Sequence, residues 1–74
     1  MRLLIVFHRG VGEIVESVPF GDTPPEHGRA ISARLIAEQK YGADHEVVVL
    51  TALDMADMKR AHRRYFVNEL AIGD

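Results

Sequence analysis

Cysteine and tryptophan are absent from this 74-residue chain. The first absence excludes disulfides, Cys-ligated zinc and thiol catalysis. It also removes the usual staple of a small domain, so stability must come from the core, from self-association or from a bound partner. A chain with no cysteine suits a reducing compartment, and a cytoplasmic setting is expected. No charge sign dominates. The formal net charge is −2, which predicts poor non-specific affinity for nucleic acid. Long apolar runs are missing too. Met1-Arg2-Leu3-Leu4-Ile5-Val6-Phe7 mimics the start of a signal peptide. The run stops at His8-Arg9, and no small-residue cleavage site follows. No stretch approaches the roughly 20 apolar residues needed to cross a bilayer, so no membrane partner is expected.

What is present suits a folded chain: 47% of the residues are hydrophobic. The sequence contains no repeat, linker or low-complexity tract, and residues 1–74 read as a single domain. Leu3 to Phe7 is a continuous apolar run of strand length. His8-Arg9-Gly10-Val11-Gly12 supplies a hairpin turn. Ile14 to Val18 is the return strand, ended by Pro19, which cannot donate to a ladder. Thr23-Pro24-Pro25-Glu26 has the form of a capping box with proline in the first turn. It predicts a helix from Pro24 to Tyr41, with Gly42 as a left-handed C-terminal cap. That helix carries an Ile31–Leu35 stripe and a second stripe of Ala30, Ala33, Ala37 and Tyr41, small enough for close approach to a sheet. Glu46 to Leu50 or Leu53 forms a third strand. Thr51 or Asp54 then caps a second helix that reaches about Leu70. Met55, Met58, His62, Tyr65, Phe66 and Leu70 recur on one side of it at helical spacing.

The expected fold is therefore α+β, in the order β-β-α-β-α. Three strands form a mostly antiparallel sheet in the order 2-1-3, joined by two helices. The most apolar strand belongs in the centre, and the crossover is expected to be right-handed.

Chemical signatures are sparse. Four histidines (His8, His27, His45 and His62) include no HxH, HExxH or i, i+4 pair, so neither a metal site nor a cofactor is expected. Gly10-Val11-Gly12 lacks the third glycine of a dinucleotide loop and leads into a strand, not a helix. Ser17, Ser32, Thr23 and Thr51 stand in no GxSxG motif. No catalytic residue is assigned, and the chain is not expected to be an enzyme.

The concentrated feature is Lys59-Arg60-Ala61-His62-Arg63-Arg64-Tyr65-Phe66. Residues 1–57 hold nine acidic and five basic residues, a balance of −4; residues 58–74 hold four basic and two acidic, a balance of +2. Lys59, Arg60, Arg63 and Arg64 form the candidate partner-binding arc. The plainer alternative is a solvated face whose cations suit the helix dipole.

Tyr41-Gly42, Val47-Val48-Val49-Leu50 and Arg64-Tyr65-Phe66 resemble segments of small uncharacterised proteins of actinobacteria and their phages. Arginine outnumbers lysine seven to two, as in high-GC genomes. The resemblance implies an accessory protein that acts by binding. Three functions are thus in view. The first is a non-enzymatic interaction protein, such as a phage-borne accessory or inhibitor of a host protein. The second is a nucleic-acid-binding module using the basic helix. The third and least favoured is a small metal-binding or enzymatic domain. Strands one and three do not alternate apolar and polar residues, so both faces of the sheet require cover. If both helices share one face, Leu4, Val6 and their neighbours form an exposed apolar patch, and a homodimer is expected to bury it. Helices split one per face would satisfy the pattern without a partner.

Overall fold

The computed structural model describes the backbone of residues 1–72 and the side chains of residues 1–67. Strand β1 spans Arg2–His8, β2 Glu13–Phe20 and β3 His45–Thr51; helix α1 spans Pro24–Lys40, α2 Met55–Ala61 and α3 Arg63–Ile72. The strands form one sheet in the order β2-β1-β3, and β1 is antiparallel to both neighbours. The α+β reading and the 2-1-3 order stand, with a third helix added.

The β1–β2 hairpin closes at Gly12, whose N–H donates to the His8 carbonyl at 2.8 Å. Its φ of 75° lies in the region open to glycine and costly to most other residues. A bulge between Val6 and Phe7 leaves Val15 outside the register. Contrary to expectation, Pro19 does not end β2, which continues to Phe20. Register explains the tolerance. Arg2, Leu4 and Val6 turn their backbone groups towards Phe20, Val18 and Glu16, so Pro19 sits at a position whose N–H would face outward.

Thr23 caps α1: its Oγ1 accepts from the Glu26 N–H at 3.4 Å. The Glu26 carboxylate reaches back to the Gly21 N–H at 3.2 Å, two residues beyond the N-cap N–H of a standard box. The far end differs from expectation. Tyr41 caps the helix in an extended conformation, φ −101° and ψ 144°. Gly42 is not left-handed; among the described residues Gly12 is the glycine with positive φ. The Tyr41 side chain supplies the reason. Its hydroxyl donates to Glu16 at 2.6 Å and its ring lies 4.9 Å from that of His45.

The anticipated second helix is two helices. His62 leaves helical geometry at φ −120° and ψ 44°, closing α2 through its N–H to the Met58 carbonyl. Its carbonyl then accepts from the Tyr65 N–H as α3 begins. The imidazole Nε2 lies 3.2 Å from the Thr51 carbonyl oxygen, which ties the break to the end of β3.

Side chains alternate along β1, and both of its faces are buried. Leu3, Ile5 and Phe7 pack with Met58 and Phe66, joined by Ile14, Val48, Leu50 and Tyr65. Leu4 and Val6 point the other way, where Ala30 and Ala37 of α1 are buried. The alanine stripe thus faces the sheet, and Ile31 and Leu35 stay exposed. The helices lie on opposite faces, so the apolar patch expected from a shared face does not form. Met55 is also exposed, whereas Met58 and Phe66 hold the expected core positions. The Leu70 side chain falls outside the described residues.

Candidate interaction surface

The four cations of the basic arc are divided by the break at His62. Lys59 and Arg60 stand on α2, Arg63 and Arg64 on α3. Arg60 pairs with Asp57 at 3.0 Å, one turn earlier. The Leu53 N–H donates to that carboxylate, and together with Arg60 it holds Asp57 below its ordinary pKa. Arg64 binds Glu46 through two parallel bonds of 2.7 and 2.8 Å. Its guanidinium also lies 4.8 Å from the centre of the Tyr65 ring and 5.8 Å from that of Phe7. Arg64 therefore does not project away from the aromatic face, as helical spacing suggests. It fastens α3 to β3.

Glu46 is the hub of this corner. Besides Arg64, it accepts from the Tyr65 hydroxyl and lies 3.5 Å from Arg9 Nε. Chiefly the Arg64 bonds, then the Tyr65 hydroxyl, bring its pKa down to about 2. Burial and the same carboxylate push the Tyr65 hydroxyl up. Sequence spacing does not mark Glu46 as a hub. It precedes the valines of β3; Arg64 and Tyr65 lie 18 and 19 residues further on, and Arg9 lies in the β1–β2 turn.

The histidines do not assemble a metal centre: no group of three or more His, Cys, Asp or Glu suited to an ion occurs among the described residues. His8 and His45 meet across β1 and β3 with ring centres 4.7 Å apart. His8 Nδ1 accepts from the Val11 N–H, and His62 serves the helix break. Tyr41, His45, Arg9 and Glu38 border an open cleft of about 380 Å³.

The two edges of the sheet are unlike. Arg9 donates to the Asp44 carbonyl at 2.9 Å and Ala52 to the Met1 carbonyl at 3.0 Å. These bonds fix the phase of the β1–β3 ladder. Glu46, Val48 and Leu50 turn their backbone groups inward to β1; His45, Val47, Val49 and Thr51 turn theirs outward. The β2 edge carries Pro19 and the bulge at Val15, devices that discourage strand addition. The β3 edge has neither. Residues 45–50 are all half-buried, including three valines and a leucine, although each face of the sheet bears a helix. One outward group at each end is already used. The His45 N–H donates to the Gly42 carbonyl, and the Thr51 carbonyl meets His62.

In comparisons with known proteins, no family model, curated sequence or solved structure matched this chain.

Proposed function

We propose that this chain is a non-enzymatic protein-interaction module whose docking element is the β3 edge. The carrying observation is the row of outward N–H and C=O groups on Val47 and Val49, set between half-buried apolar side chains. An extended segment of a partner would complete those bonds as an added strand, and the flanking side chains would supply specificity. The small size and the resemblance to actinobacterial and phage proteins favour an accessory or inhibitor role against a host protein. The basic arc contributes less than its sequence implies, because Arg60 and Arg64 are engaged within the chain. That argument also weighs against the nucleic-acid reading.

The test is retention on immobilised chain. Wild type should retain protein from a host lysate. Val49→Pro, which deletes an outward N–H and leaves the β1 ladder its bonds, should lose that protein with its circular dichroism spectrum unchanged. Equal retention by both would exclude the edge. Retention of DNA or RNA at 0.3 M salt would favour the nucleic-acid module instead.

A further inference from the structure

We infer that the occupant of the β3 edge is a second copy of this chain, paired antiparallel through β3 about a two-fold axis at Val48. This inference rests on the proposed docking role of that edge and names its resident partner, which a host segment would have to displace to dock there.

The argument is one of register. Outward backbone groups belong to His45, Val47, Val49 and Thr51. An antiparallel strand satisfies them when outward residues face outward residues. Placing Val48 opposite Val48 of the second copy does this over the whole of β3. Val47 then exchanges both its bonds with Val49 of the copy, and Val49 with its Val47. At the ends, the Thr51 N–H donates to the His45 carbonyl of the copy. The bond this register leaves out is from the His45 N–H to the copy's Thr51 carbonyl. Those two groups are the ones already satisfied internally, by Gly42 and His62. The set left open on one chain is therefore the set that its own copy completes.

Side-chain chemistry agrees. On the α1 face Val47 meets Val49, and on the other face Val48 meets Val48. Such β-branched pairs favour cross-strand contact. No like charges come opposite each other. Glu46 faces Leu50 of the copy, and its charge is already held by Arg64. The flanking helix extends the contact. Ile36 and Lys40 lie towards β2, in the groove with Val18. At about 100° per residue, Ile31, Arg34 and Glu38 then fall on the β3 flank, with Leu35 next to them. Ile31 is 45% and Leu35 54% exposed. In the pair, this flank of each α1 faces the same flank of the other. Arg34 brings no unbalanced charge there, since Glu38 neutralises it at 3.0 Å.

The experiment uses cross-linking and mass. A non-bonded antiparallel pair places its Cα atoms about 4.5 Å apart, within the roughly 4.4–6.8 Å that a disulfide spans. The chain has no cysteine of its own. Val48→Cys should therefore oxidise to a covalent dimer, and Ser17→Cys on the opposite edge should not. In sedimentation, wild type should reach about twice the 8.3 kDa chain mass at tens of micromolar. Val49→Pro should sediment as a monomer with an unchanged circular dichroism spectrum. Wild type that stays at 8.3 kDa up to hundreds of micromolar overturns the inference. If Val49→Pro then still abolishes retention of a lysate protein, the docking role of the edge survives with a different partner. A dimer that persists in Val49→Pro, with no Val48→Cys cross-link, places the interface elsewhere and overturns the inference as well.

Discussion

Glu46 holds its charge among Arg64, Tyr65 and Arg9, and its pKa falls from an ordinary 4.5 to about 2. The folded carboxylate thus releases its proton more readily than the unfolded one. Its contribution to stability is complete above pH 4.5 and is lost as pH falls from about 4.5 towards 2. Glu46→Gln should lower the melting temperature at pH 7 and flatten the acid limb across that window. An unchanged acid limb would mean that this carboxylate does not govern it. The same corner separates two arginines that look equivalent in the sequence. Arg64→Glu sets a carboxylate against Glu46 and should lower the melting temperature clearly. Arg60→Glu removes an exposed i, i+3 pair and sets a second carboxylate beside Asp57, and should cost no more than about 1 kcal/mol. Thermal melts of the two variants would check the contrast. The sequence offered no route to it. Helical spacing groups residues along one element, whereas the Arg64 partner stands 18 residues away on a strand.

Where an element was decided by its own neighbours, the sequence was informative. Thr23, Pro24, Pro25 and Glu26 lie within one turn, and α1 starts as they prescribe. Thr23→Ala should cost about 1 kcal/mol, read as a shift in the urea midpoint. An unmoved midpoint would show that the 3.4 Å bond contributes nothing. Elements decided from a distance were less legible. Gly42 is a good left-handed cap by composition, yet α1 ends on Tyr41 because Glu16 and His45 hold that side chain. The break at His62 depends on the Thr51 carbonyl, 11 residues earlier. Pro19 reads as a terminator until its strand is known to lie at an edge with that position facing out.

For the molecule as a whole, the unbroken apolar runs of β1 and β3 correctly signalled a sheet covered on both faces. They could not say whether a helix or a partner did the covering. The answer is α1 on one face and α2 with α3 on the other, meeting over β1. Phe66, 3% exposed, is the aromatic anchor of the second layer. Phe66→Ala should cost about 3–5 kcal/mol. A chain of this length has a total stability of about 4–11 kcal/mol, so the variant should be partly or wholly unfolded at 37 °C by circular dichroism. A wild-type melt would place the ring outside the core.

The blunted β2 edge has a consequence for assembly size. A chain with two open edges polymerises, because every addition exposes a new acceptor at the growing end. In the proposed two-fold pairing the receptive edge of each copy would be used, and a Pro19-bearing, bulged strand would stand at both margins of the joined sheet. Growth would then stop after one event. The sheet would be a ribbon of two chains with blunted margins, and its mass should plateau with concentration instead of climbing towards a fibre.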